Sequence, residues 1–123
     1  MVRPGYRISE IAERFNLEPH TLRYYEKEGI LCPQKTEKGV RIYSDDDVDQ
    51  LGMICCLKGT GMSLKDIKRY FDLCHEGDKT IQERLAIFEA HRQHILSEIA
   101  DLKMYLDKIE KKIKWCKGVH GME

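Results

Sequence analysis

Two groups of side chains in this 123-residue chain have chemistry to offer. The first gathers cations, hydroxyls and polar rings near the N-terminus: His20, Thr21, Arg23, Tyr24 and Lys27, then Lys35, Lys38, Arg41 and Tyr43. Arg and Lys grip phosphate, while Thr, Tyr and His can bond to phosphates, sugars or base edges. The second group is the cysteines. Cys55 and Cys56 are adjacent, Cys74 precedes His75, and Cys116 stands four residues before His120. Thiolates are nucleophiles and soft metal ligands. No nucleotide-binding loop, hydrolase elbow or paired-carboxylate site is present, so the pattern points to recognition and thiol chemistry, not to an enzyme.

The elements that must hold the first group follow from residues 6–43. Ile8, Ile11, Ala12 and Phe15 fall at helical spacing, with Ser9 placed to cap that helix. Phe15-Asn16-Leu17 is long enough only for a turn. Pro19 suits the first turn of a second helix, because its missing N–H costs nothing there. That helix, from Pro19 to about Glu28, puts Leu22 and Tyr25 on one side and most of the polar set on others, and Gly29 ends it. Lys35 to Arg41 then reads as two short strands around a turn, with Gly39 free to take positive φ. Helix, turn, second helix and basic hairpin, in this order, describe a winged helix-turn-helix. Its second helix would enter the major groove of double-stranded DNA. On this reading His20, Thr21 and Tyr24 face base edges or nearby backbone from the second helix, and Ser9 counts among the DNA-binding residues. Arg23, Lys27, Lys35, Lys38, Arg41 and Tyr43 clamp phosphate and sugar.

The strings Thr21-Leu22-Arg23-Tyr24-Tyr25-Glu26, Gly29-Ile30-Leu31, Pro33, Gly39-Val40-Arg41 and Tyr43 resemble the winged head of MerR-type transcriptional regulators. The resemblance runs through nearly the whole chain. Lys35 and Val40 depart from it, standing where the family often has Arg and an aromatic, and neither change removes a charge or the turn. The resemblance implies a homodimer that binds a palindromic promoter operator. It also implies activation by untwisting an over-long promoter spacer so that RNA polymerase can engage both of its elements.

Bulk composition says less. The chain carries 21 Lys+Arg against 21 Asp+Glu, so its net charge is zero and positive surface must come from local placement. No apolar run approaches membrane-spanning length and no signal-peptide pattern opens the chain. Five cysteines without a secreted-domain spacing suit a reducing cytoplasm. The expectation is therefore a cytoplasmic protein with no membrane partner and no cofactor.

Further along, Ser44 with Asp47 and Ser63 with Asp66 signal two helix starts. The first helix would bury Val48, Leu51 and Cys55, and the second Leu64, Ile67, Tyr70, Phe71 and Cys74. This helical hairpin completes an expected head of residues 1–76. Thr80 with Glu83 signals a third start, for an expected long helix within 77–117, leaving a short tail at 118–123. Along that helix Ile81, Leu85, Phe88, Arg92, Ile95, Ile99, Leu102, Leu106, Ile109, Ile113 and Cys116 alternate by four and three. Sustained alternation of this kind marks a coiled-coil seam, broken on polarity at Arg92. A helix of roughly 50 Å cannot bury its seam within so small a chain. A second copy is the simplest partner, and the family resemblance implies an antiparallel pair. A folded-back bundle is the alternative. The expected fold is thus mainly α, with a small β-hairpin wing and a long coiled-coil helix.

Little sequence follows the long helix, so sensing would fall to a few side chains. Cys55 lies near the Val48–Leu51 stripe and reads as core, while Cys56 sits on the flank near Lys58. The run from Cys56 through Ser63, then Gly77-Asp78-Lys79-Thr80-Ile81, Glu83-Arg84, His91 and Lys112-Ile113, resembles the aldehyde and thiol-stress branch of the family. That resemblance implies Cys56 as the electrophile-reactive residue, with Cys55 secondary. A metal-responsive regulator using Cys74, His75 and Cys116 is an alternative. So is a binder with no effector of its own, or a DNA-binding module serving recombination or excision.

Overall fold

The computed structural model describes residues 5–120. These residues divide into two compact units, with the boundary between Arg84 and Leu85.

In the first unit, α1 (Ile8–Phe15) buries Ile11 and Ala12. Ser9 does not cap it. Arg7 holds the cap position, and the Glu10 carboxylate accepts from the Arg7 N–H at 3.0 Å. An acid three residues into a helix satisfies an orphan donor and also complements the helix dipole, so Ser9 is left as an exposed second residue. The helix stops at Asn16, whose φ of 54° is left-handed backbone that Asn tolerates. α2 (Pro19–Lys27) starts with Pro19 in its first turn and buries Leu22 and Tyr25. These two side chains, with Ile11 and Ala12, tie the pair of helices together. Truncating Leu22 to Ala would cost about 2–5 kcal/mol.

The hairpin follows, with β1 (Gln34–Lys35) antiparallel to β2 (Arg41–Ile42). Gln34 lies opposite Ile42 and Lys35 opposite Arg41. Gly39, at φ 79°, lets the chain reverse, and its N–H donates to Thr36 O at 2.9 Å. Tyr6 bridges to Tyr43 through two 2.8 Å backbone hydrogen bonds, an isolated bridge that pins the segment before α1 beside the residue after β2. This pairing brings Gly5 so close that a Cβ there would stand 2.9 Å from Tyr43 O.

α3 (Asp45–Gly59) opens on a full capping box: Ser44 Oγ accepts from Asp47 N–H and Asp47 Oδ2 accepts from Ser44 N–H. Its buried stripe is Val48, Leu51, Ile54 and Leu57, and Cys55 is only half-buried beside it. α4 (Leu64–His75) is capped by Ser63, whose Oγ accepts from Asp66 N–H. It buries Ile67, Phe71 and Leu73. Tyr70 and Cys74 are half-buried, and Leu73 takes the place that the helical spacing gave to Cys74.

Thr80 departs from its expected use. It ends a 3-10 turn (Asp78–Thr80) and is buried. Its hydroxyl reaches back to Leu73 O at 2.7 Å and Gly77 O at 2.9 Å, and it accepts from Arg84 Nε at 3.1 Å. The hydroxyl thus closes the end of α4 instead of opening the next helix. These bonds, with Arg84 Nη2 on Gly77 O at 3.2 Å, carry the first unit past the expected boundary at residue 76.

α5 (Ile81–His120) is one 40-residue helix, about 60 Å long. It takes in residues 118–120 of the expected tail, while 121–123 lie outside the described residues. In the second unit Ile99, Leu102, Leu106, Ile109 and Ile113 are exposed, and Ile95 and Cys116 are partly covered. Among the described residues no helix is long and apolar enough to cross a membrane.

Candidate nucleic-acid interface

α2 shows how a short helix presents a polar face. With Leu22 and Tyr25 turned inward, His20, Arg23, Tyr24 and Lys27 are exposed and Thr21 is half-exposed. Tyr24 keeps 46% of its surface accessible, a large amount for an aromatic residue on a packed helix. The hairpin adds Lys35 and Lys38, both exposed.

Arg41 is less free than expected. Its side chain is 28% exposed, and Nε donates to Glu26 Oε2 at 2.5 Å. Lys35 Nζ stands 3.8 Å from the other Glu26 oxygen. Two of the expected phosphate grips are therefore joined to the last turn of α2 through one carboxylate.

Tyr43 requires a correction. It is 1% exposed, and its hydroxyl is buried with no hydrogen-bond partner among the described residues. Its backbone is fixed by the bridge to Tyr6, which turns the ring into the core, so it cannot clamp phosphate from there. Burial raises its phenol pKa above the usual value, with the nearby Glu26 adding to the effect and Arg41 opposing it.

Three cations join this surface that local sequence pattern did not single out. Arg7 lines a shallow concavity with Thr36, Glu37, Lys38 and Val40 at the hairpin tip. Lys65 and Lys68, from the first turns of α4, line another hollow with Tyr24, Glu28 and Ile30 of the α2 region. Lys68 also pairs with Asp72 at 3.0 Å. The Ser63 cap signals where α4 begins, but only the fold places its lysines beside Tyr24.

The cysteines separate cleanly. Cys56 and Cys32 are exposed; Cys55, Cys74 and Cys116 are half-buried. Burial raises the Cys55 thiol above its ordinary pKa, and Lys58 opposes that in part. Cys74 Sγ lies 3.7 Å from the Arg84 guanidinium. His75 instead lines a hollow with Cys32, Ser44, Asp46 and Asp47. The adjacent Cys74 and His75 thus diverge, and a fixed cation beside the thiol opposes a metal ion there. Among the described residues no three His, Cys, Asp or Glu side chains converge on a point that could hold a metal.

Comparison with known proteins agrees with this geometry. Residues 6–74 match the model of the MerR HTH family regulatory proteins, and residues 48–112 match a second model described as MerR, DNA binding. An HTH-type transcriptional regulator of Haemophilus influenzae is 44% identical over 109 residues, covering 88% of this chain and 81% of its own. The regulator AdhR of Bacillus subtilis is 34% identical over 90 residues, covering 72% and 64%. Among solved structures, HiNmlR, described as a MerR family regulator lacking the sensor domain and bound to promoter DNA, superposes with a TM-score of 0.87. It is 41% identical, over 95% of this chain and 94% of its own.

Proposed function

The chain belongs to the MerR family of DNA-binding transcriptional regulators, and on that basis we propose that it binds a palindromic promoter operator as an antiparallel homodimer and switches transcription by distorting the DNA. It is a regulator and not an enzyme, and membership sets aside the recombination-module alternative.

The observation that carries the DNA reading is the exposed face of α2, with His20, Thr21, Arg23, Tyr24 and Lys27 beside a cationic hairpin. In the proposal α2 enters the major groove. His20, Thr21 and Tyr24 approach base edges or neighbouring backbone, and Arg23, Lys27, Lys35, Lys38 and Arg41 hold phosphates. Arg7, Lys65 and Lys68 extend the phosphate grip, while Tyr43 supports the wing from within. Ser9, exposed in the first turn of α1, is kept as a backbone contact. The likeness to a relative seen on promoter DNA supports this placement.

The dimer reading rests on α5. Leu85, Ile99, Leu102, Leu106, Ile109 and Ile113 are exposed along one four-three seam, with Phe88 and Ile95 partly covered. Burying each such side chain fully is worth about 1.5–3 kcal/mol, so a second helix of the same pattern is the partner of matching length and chemistry. Binding then sets the deformation energy of the spacer against contacts from both heads, and RNA polymerase reads the realigned promoter.

For the effector we propose small electrophiles, aldehydes among them, adding to Cys56. The thiol is exposed while its neighbour Cys55 is half-buried with a raised pKa, and the chain resembles the aldehyde and thiol-stress branch around this residue. Addition joins sulfur to the carbonyl carbon and the thiol proton ends on the oxygen, with no leaving group. The modified side chain would shift a balance between two arrangements of the regulator on DNA.

The test is run-off transcription from a promoter carrying a sequence selected from random DNA by the purified protein. A small aldehyde should change the output with the wild-type protein and not with Cys56→Ser. Peptide mass spectrometry should place the adduct on Cys56. An adduct confined to Cys32 or Cys55, or a full response in Cys56→Ser, would rule out this sensor and favour a regulator controlled from outside the chain.

A further inference from the structure

We propose that Glu26 is the positioning residue of the wing, holding Lys35 and Arg41 at a fixed angle to α2 so that their phosphate contacts depend on correct seating of that helix. The proposal deepens the DNA-binding reading and rests on it.

Glu26 is an odd residue for its place. It lies in the last turn of α2, where a carboxylate faces the negative end of the helix dipole. It also brings negative charge to a surface meant for phosphate. Neither helix stability nor DNA attraction accounts for it.

The hairpin does account for it. Its strands are two residues each, too short to hold a fixed orientation by their own pairing. Their register sets Lys35 directly opposite Arg41, and like charges facing each other across a ladder repel. The Glu26 side chain, 17% exposed, meets both: Oε2 accepts from Arg41 Nε at 2.5 Å, and Oε1 stands 3.8 Å from Lys35 Nζ. One carboxylate thus relieves the cross-strand repulsion and fastens the wing to the reading helix. The bond to Arg41 uses Nε, so the terminal amino groups of the guanidinium remain able to take a phosphate. Held this way, the wing cations reach backbone only when α2 sits in register. Released, they would bind any duplex.

The consequence is a division between affinity and discrimination. Loss of the carboxylate frees cations, which strengthens binding to random DNA and steepens its salt dependence by about one unit in log–log slope. Loss of the fixed angle lowers preference for the chosen site.

The experiment compares full-length wild type, Glu26→Gln and Glu26→Asp on a duplex selected by the wild type and on a random duplex, across a salt series. Glu26→Gln should lower the ratio of selected to random affinity by roughly tenfold and steepen the salt slope, while Glu26→Asp restores most of the ratio. In the absence of DNA, the Thr36 and Val40 amides of Glu26→Gln should exchange hydrogen several-fold faster than in wild type, with α1 amides unchanged. A ratio within about twofold of wild type in Glu26→Gln, or equal behaviour of the Gln and Asp variants, overturns the proposal. So does unaltered wing exchange, which is read without DNA and stands even if thermal melting shows that the variant is less stable. If the wild type selects no sequence at all while wing exchange responds as expected, the DNA-binding reading fails and the anchoring survives as a structural fact alone.

Discussion

The Tyr43 hydroxyl is buried without a partner among the described residues, an arrangement that costs about 1–3 kcal/mol where it occurs. Replacing it with Phe removes the unmet group and keeps the ring. Tyr43→Phe should therefore raise stability by about 1 kcal/mol in urea denaturation and leave DNA affinity unchanged. The same residue shapes the alkaline limb of stability. The folded pKa values of Tyr25 and Tyr43 lie above the ordinary 10.0 because of burial. In the unfolded chain these phenols ionise first, so their contribution is intact below that value and is lost as pH climbs through the folded pKa values. Tyr43→Phe should make that loss shallower. From sequence, a Tyr at the end of a basic hairpin looks like a phosphate contact. Its backbone bridge to Tyr6, 37 positions away in the chain, is what turns it inward. Pairings over such distances leave no local signature, and the placement of Lys65 and Lys68 beside Tyr24 is hidden in the sequence for the same reason.

Elements were easier to read than individual side chains, because caps and periodicity are local. The Ser44–Asp47 box, Ser63, Pro19 and the turn at Gly39 all do what their types suggest. Thr80 has the right residue type and spacing for a cap, yet its hydroxyl serves the end of α4. A hydroxyl can point either way, and here the tight 3-10 turn directs it to Leu73 O. Thr80→Val keeps the shape and removes the bond. It should cost about 0.5–1.5 kcal/mol by thermal or urea unfolding, through the lost hydroxyl bond and a loosened Arg84, since Leu73 O keeps the Glu76 N–H at 3.1 Å. A loss near zero would mean that the Glu76 N–H alone is enough to hold Leu73 O and the turn. The wing also belongs to this scale: its strands and turn were legible, whereas the carboxylate that anchors it was visible only as one letter of a recognised string.

At the scale of the whole molecule, the long helix is legible in the sequence because its seam repeats over many turns. What periodicity does not encode is orientation, which the proposal takes from family likeness. The exposed seam on α5 predicts self-association, with sedimentation equilibrium giving twice the 14.5 kDa chain mass. Leu106→Glu, placing a charge within an apolar seam, should shift the protein to monomer and weaken operator binding by two or more orders of magnitude, on the scale of about 3–5 kcal/mol for an uncompensated buried charge. The zero net charge of the chain makes local cations responsible for DNA affinity, so binding should still fall steeply with salt. The most direct test of the account is a hydroxyl-radical footprint of the full-length protein on a DNA duplex that it has selected. The account predicts two symmetry-related protected patches on one face of the duplex, one for each α2 and wing. A single patch, or protection that does not depend on sequence, would contradict a two-headed reader.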